Sequence, residues 1–205
     1  MPWTFYHVRL ARSNQSIRAI TTKMRPLIRE VLQIIALALI VFFALHFLVQ
    51  NFRVEGSSME PNLYGGNGHT NYVLVNKAAY WFGGGPQRGD VIVFEAPDQP
   101  QNDRIKRVIG LPGETVEVKP DGSVLIDGKL LEEPYISSQR GGPSGTWEVP
   151  EGEYFVMGDN RAVSYDSRAA GPIPKDKIIG RAWLIIWPLG DWGFAPNRAV
   201  AFAPS

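Results

Sequence analysis

A mainly β fold carried behind one membrane-length helix is what this sequence predicts, and three observations predict it. The first is the apolar run Val31 to Val49, VLQIIALALIVFFALHFLV, which has no formal charge when His46 is neutral. The second is the texture of the chain after about residue 50, where short alternating or apolar runs are separated by Gly, Pro, Asn and Asp. The third is the lack of any helical apolar period beyond that point. The 205 residues therefore divide into a basic leader (1–30), an apolar anchor (31–49) and a compact antiparallel β domain (50–205), with a hairpin and loop insertion at 115–155. The length allows one membrane segment and one modest domain.

The leader carries six basic side chains and one acid, a net of +5, which leaves the rest of the chain at −4. A nucleic-acid binder needs a basic working domain rather than a basic leader, so no nucleic-acid partner is expected. As a helix, the apolar run would reach about 28 Å, close to a hydrocarbon core. The positive-inside rule puts the leader in the cytoplasm and residues after about 50 outside. A cleaved signal peptide has an apolar region of about 7–15 residues and a small-x-small exit. Here the exit is Leu48-Val49-Gln50-Asn51, so the run reads as an uncleaved, single-pass anchor. A buried core helix and an organelle transit sequence fit less well.

In the outer domain, Asn71–Lys77 reads as a strand after the glycine-rich Gly65-Gly66-Asn67-Gly68. Val91-Ile92-Val93-Phe94 suits a strand buried on both faces, and Arg104–Ile109 follows it. Thr115–Lys119 and Ser123–Ile126 flank a Pro-Asp-Gly turn, and Asp127-Gly128 makes a second. Residues 138–146 read as a mobile loop, and Tyr154–Met157 and Arg181–Trp187 as the last strands. No cysteine is present, which excludes disulfides, thiolate metal sites and a cysteine nucleophile. No cofactor and no metal are expected.

Ser58, between a Gly-Ser turn and Met-Glu-Pro, is placed to be held by backbone geometry, but serine attacks only when something takes its proton. Histidine is nearly unavailable. His7 and His46 lie before or inside the apolar run, and His69, in the glycine-rich loop, reads as merely solvated. A lysine can act as base only when neutral, which its ordinary pKa of about 10.4 forbids near pH 7 unless burial lowers it. Lys106 sits among Ile105, Val108 and Ile109 on a strand. Alternation places Lys106 with Val108 on one face and Ile105, Arg107 and Ile109 on the other; spacing alone does not choose between Lys106 and Arg107.

Four stretches occur in order: Gly56-Ser57-Ser58-Met59-Glu60-Pro61, Arg88-Gly89-Asp90-Val91-Ile92-Val93-Phe94, Lys106-Arg107-Val108-Ile109-Gly110-Leu111-Pro112-Gly113, and Gly158-Asp159-Asn160-Arg161-x-x-Ser164-x-Asp166-Ser167-Arg168. With the anchor, they resemble the boxes of bacterial type I signal peptidases over roughly residues 25 to 190. The resemblance implies a membrane-bound serine endopeptidase with a Ser/Lys dyad on a mostly β fold, removing signal peptides from exported preproteins at the plasma membrane. It makes Ser58 the nucleophile and Lys106 the general base. It implies that Ser164 hydrogen-bonds the lysine amine and that Asp166 and Arg168 shape the site. Some relatives draw a second oxyanion donor from the position of Gly56, leaving here only its backbone or another group. Substrate recognition would add an extended peptide between the strand before the nucleophile and the strand before the lysine. Val54, Met59, Leu63 and Ile105 match positions lining the pocket for small side chains; plain core packing explains them equally well.

Departures from the pattern are Asn62, where threonine is common, and Gly65–Asn71 in place of a short turn. Asp159, Asn160 and Arg161 read first as holding a turn. Tyr80-Trp81-Phe82, Trp187, Trp192 and Phe194 read first as core and, if exposed, as anchors for docking on the lipid bilayer. The protein is expected to be a monomer. Two other readings keep part of the pattern: a regulatory or self-cleaving Ser/Lys protease, and a membrane-tethered, non-catalytic β domain that binds export partners.

Overall fold

The computed structural model describes residues 4–66, 68–137 and 141–203, with side chains from residue 25 onward apart from Pro100. The chain forms two units, divided between Phe47 and Leu48. The first unit is a helix, α1, which runs from Thr4 to Leu48. It takes in both the basic leader and nearly all of the apolar run; Val49 opens the first strand instead. Its Arg25–Leu48 portion, 24 residues, is long and apolar enough to cross a membrane. A lone helix has no neighbour in its own unit to bury such side chains.

The second unit is mainly β, as the turn spacing predicts. In chain order its strands are β1 (Val49–Arg53), β2 (Gly65–Gly66), β3 (His69–Thr70), β4 (Tyr72–Asn76), β5 (Val91–Ala96), β6 (Gln99–Gly110) and β7 (Thr115–Val118). They continue as β8 (Val124–Ile126), β9 (Lys129–Leu130), β10 (Gly145–Glu148), β11 (Glu153–Met157), β12 (Ile173–Pro174), β13 (Ile178–Trp187) and β14 (Gly193–Phe194). The main sheet is ordered β1-β4-β13-β5-β6-β11-β12, with β14 added to β13, and every pairing is antiparallel. A second sheet, β10-β7-β8-β9, is built from the 115–155 insertion.

Two sequence expectations change. The stretch 138–146 is not wholly a loop: residues 138–140 lie outside the described residues, but Gly145 already pairs with Val118 in β10. The alternation of Gly-Thr-Trp-Glu was too short to stand out beside its glycines. One α-helical turn also appears after residue 50, α2 (Ser167–Ala170), because the Asp166 side chain accepts from the Arg168 N–H and caps it.

β5 shows why a short apolar run sits at the centre. Val91 and Val93 enter one core with Val54, Met59, Leu63, Val73, Val75 and Ile105. Ile92 and Phe94 enter another with Val108, Tyr154, Val156 and Ile173. A strand buried on both faces has no place for an alternating polar residue. A third core lies between the second sheet and β11, around Val116, Ile126 and Phe155.

Two strand edges are left open. β1 ends the main sheet and pairs on one side only, with β4. The first two-thirds of β6 pairs with β5 alone, since β11 reaches only Arg107, Val108 and Gly110. An open edge is a row of unpaired N–H and C=O groups, and therefore a template for another extended chain.

Candidate active site

A groove of about 910 Å3 lies along these two edges. Residues 50–53 and 55–58 line it from β1 and the turn that follows, and residues 102–106 line it from β6. Val163 and Tyr165 close one end, and Arg104 stands 5.0 Å from the Tyr165 ring centre.

Both candidate reacting groups line this groove. Ser58 arrives from β1 through Gly56, whose φ of +71° is the left-handed conformation glycine tolerates. Lys106 stands opposite Ile92 on β5 and two residues from Val108, on the face that packs Ile92, Phe94 and Val108. Its Nζ lies 2.7 Å from Ser58 Oγ and 3.0 Å from the Ile105 carbonyl oxygen. Burial pushes the Lys106 pKa down to about 8; the Arg104 charge adds to the fall, against Asp166 and Asp159. The ammonium loses solvation that no carboxylate in contact replaces.

Burial alone would not have picked Lys106. It is 5% exposed, but Arg107 is fully buried. The two differ in partners. Arg107 donates Nε and Nη2 to the Asp159 carboxylate at 2.8 and 2.7 Å, and its Nη1 to the carbonyl oxygens of Gly89 and Pro196. Its charge is fixed, while that of Lys106 is free to be lost.

Asp159, Asn160 and Arg161 do hold a turn, and they do so against Ser57 and Ser58. Asn160 N–H donates to Ser58 O at 3.0 Å, and its side chain to Ser57 O at 3.2 Å. Asn62 donates to Asp159 at 2.9 Å and to Tyr135 O at 2.6 Å. Arg161 forms a buried bidentate pair with Glu133. Glu133 and Tyr135 lie in the insertion and were not singled out in the sequence; neither stands beside a pattern that marks it.

Ser164 is half-buried beside this turn, and its Oγ is buried with no hydrogen-bond partner among the described residues. It lies close enough to Asp166 to favour the ionised carboxylate, yet it makes no bond to Lys106. The contact implied by the resemblance is therefore not formed in this state. Burial by itself would raise Asp166, but the Arg168 hydrogen bonds and charge outweigh it and hold the carboxyl below its usual range. Asp166 also accepts from Gly158 N–H at 3.0 Å, and Arg168 reaches the carbonyls of Gly141 and Arg161.

The oxyanion question narrows. Gly56 N–H is spent on Gly65 O at 2.8 Å, so the Gly56 backbone is not a free second donor. Ser58 N–H makes no hydrogen bond among the described residues, as a donor kept for a developing oxyanion requires. Of the four residues matched to the small-side-chain pocket, only Ile105 lines the groove. Val54, Met59 and Leu63 are within 1% of full burial and pack with the β4 and β5 valines, so they shape it from below.

His69 is not merely solvated. Its Nε2 lies 2.5 Å from Asp191, which also takes a hydrogen bond from Asn71 at 2.7 Å. The β2–β3 hairpin that departs from the usual pattern is thereby tied down behind Gly56. Among the described residues, no group of three or more His, Cys, Asp or Glu side chains is placed to hold a metal ion.

Gly158 explains how tightly the parts fit. A Cβ there would come within 2.5 Å of Ser58 O and also meet the Ser164 side chain. Gly158→Ala is expected to displace the Ser57–Ser58 turn by a few tenths of an ångström and lower kcat about a hundredfold. Steady-state kinetics, with circular dichroism confirming the fold, checks it.

A groove edged by two open strands and lined by a serine against a buried lysine fits one class, a serine peptidase. Comparison with known proteins goes further. The family model for signal peptidases (peptidase S26) matches residues 27–187. The chain is 40% identical over 169 residues to a signal peptidase I of Bacillus amyloliquefaciens, covering 77% of this chain and 83% of that protein. It is 36% identical over 182 residues to signal peptidase IB of Staphylococcus aureus, covering 80% and 91%. To the probable signal peptidase I-2 of Synechocystis it is 35% identical over 167 residues, covering 77% and 74%. A crystal structure of a signal peptidase I from Enterococcus faecalis is 37% identical, spans 48% of this chain and 97% of that one, and gives a TM-score of 0.44. The chain belongs to the signal peptidase family, peptidase S26, and is a hydrolase of that family.

Proposed function

We propose that the protein removes signal peptides from exported preproteins, with Ser58 as nucleophile and Lys106 as general base. The observation that carries this is the 2.7 Å approach of Lys106 Nζ to Ser58 Oγ at the floor of the groove. The signal-peptide end lies extended between β1 and β6, hydrogen-bonding to both open edges. Neutral Lys106 takes the Ser58 proton as Oγ attacks the scissile carbonyl, and the resulting ammonium protonates the leaving amine. Water activated by the same lysine then releases the acyl-enzyme. Ser58 N–H faces the oxyanion. Rotation of Ser164 Oγ toward Lys106 would satisfy its orphaned hydroxyl and steady the amine.

Arg25–Leu48 crosses the export membrane once, with the basic leader, +4 before Arg25, on the cytoplasmic side and the β domain outside. Most of the aromatic residues support docking on that membrane, because they are not core; Tyr80 alone of those named packs against the Ile92 and Phe94 core, its hydroxyl donating to Asp90. Trp81, Phe82, Trp187, Trp192 and Phe194 are all more than half exposed, Leu189 joins them, and Trp183 is nearly so.

The test is cleavage of a preprotein with an Ala-x-Ala signal end by the full chain in liposomes. Release of the mature protein at that bond is expected; several intact preproteins would overturn the proposal. The same assay gives a pH prediction. The protonated lysine cannot act, so kcat/KM should rise about tenfold per pH unit below the inflection and level off above pH about 8, the Lys106 value. A profile flat from pH 6 to 9 would exclude Lys106 as the base.

A further inference from the structure

Lys77, the residue after β4, donates its backbone N–H to Leu48 O at 2.9 Å, and Leu48 is the last residue of α1. Lys77 is therefore held next to the point where the chain leaves its apolar helix. A cleft of about 430 Å3 opens there, lined by Lys77, Trp81, Lys175, Asp176, Ile178 and Ile179 among others. Neither Lys77 nor Lys175 pairs with a carboxylate among the described residues, while neighbouring Lys177 is engaged with Glu95 at 3.2 Å. Asp176 is the one acid in the lining, so the cleft is net positive. Lys175 Nζ rests against Gly85, where an added Cβ would stand 3.5 Å from it. Beside the cleft, Trp81 is 59% exposed and Phe82 96%.

We propose that this cleft binds the headgroup of an anionic phospholipid. Lys77 and Lys175 take the phosphate, and Trp81 and Phe82 sit in the interfacial layer. Two unpaired ammonium groups gain from an anionic headgroup and little from a zwitterionic one, whose own cation opposes them. A soluble anion would have no use for the adjacent exposed Trp and Phe, which favour the membrane interface. Leu48 closes the apolar helix, so its hydrogen-bond partner Lys77 lies beside the chain's exit from the bilayer. The groove is lined from Gln50 to Ser58, so a lipid gripped beside Leu48 would fix the height of its near end over the membrane. The proposal rests on Arg25–Leu48 being a membrane helix.

The test is native mass spectrometry of the detergent-solubilised full chain titrated with dioleoylphosphatidylglycerol, dioleoylphosphatidylcholine or inorganic phosphate. One phosphatidylglycerol is expected to bind selectively, about thirtyfold more weakly in Lys77→Gln/Lys175→Gln. Lys119→Gln/Lys129→Gln, on the second sheet, should bind as wild type. Equal retention of phosphatidylcholine, an unaffected double variant, or displacement by inorganic phosphate at the lipid's concentration would each overturn it. Flotation with phosphatidylcholine vesicles separates the two readings. A chain that fails to float refutes the membrane helix itself, and one that floats without selective binding refutes only the cleft.

Discussion

Ser58→Ala and Lys106→Met should each lower preprotein cleavage by about 10⁴-fold or more, and the double variant should be no worse than either single one. The non-additivity is the informative part. A nucleophile and its base act as one unit, so removing either removes the same transition state. Ser57→Ala should stay within about threefold of wild type, since Ser57 makes no contact with Lys106. If Ser57→Ala proves the dead variant, the nucleophile is the neighbouring serine. Lys106→Met carries a second signature, opposite in sign. With a folded pKa of about 8 against an ordinary 10.5, the lysine binds protons less readily in the folded chain. Stability should therefore rise as pH climbs from about 8 to 10.5, and below that window the buried ammonium is a standing cost. Methionine fills nearly the same volume without the charge, so at pH 7 the inactive variant should be more stable by up to roughly 3 kcal/mol. Chemical denaturation of the two proteins in the same detergent checks this. A variant both inactive and unstable would point to a structural lysine.

The sequence was most legible where one residue type implied one environment. The uncharged run to Val49, the valine-rich β5 and the Asp-Gly turns each pointed to a single local structure, and each formed within a few residues of its expected place. The site was legible only in part, because its geometry is made by residues far apart in the chain. Ser58 and Lys106 are 48 positions apart, and nothing local to either predicts a 2.7 Å approach. Alternation put Lys106 and Arg107 on opposite faces but could not say that both would be buried. That needed Asp159, 52 residues on, to neutralise one of them. Val54, Met59 and Leu63 were open between pocket and core for a related reason: a residue just behind a groove and one lining it have the same apolar character, and these three are core. The exposed tryptophans misled in the reverse direction, since dense aromatics are usually core. Trp183 and Trp187 are turned outward by their register on β13, while Trp81 and Trp192 stand on turns.

Asp159→Asn should cost about 3–5 kcal/mol, lowering the midpoint of thermal unfolding by roughly 6–20 °C. The penalty comes from what is left behind. Arg107 is fully buried, keeps its charge, and would retain only the Gly89 and Pro196 carbonyls and the Tyr135 ring 4.2 Å away. Removing both charges as Arg107→Met/Asp159→Leu should be less damaging than Asp159→Asn alone, because a buried pair contributes little net stability while a broken one is costly. The same carboxylate also bears on the chemistry, since its charge raises the Lys106 pKa. Its removal should move the inflection of kcat/KM to lower pH even as the fold weakens. Calorimetry and the pH profile together discriminate the roles. A lower midpoint with an unmoved inflection would make Asp159 purely a strut for Arg107 and Asn62. Both changes together would mean that one buried ion pair holds the nucleophile turn in place and sets how readily its base gives up a proton.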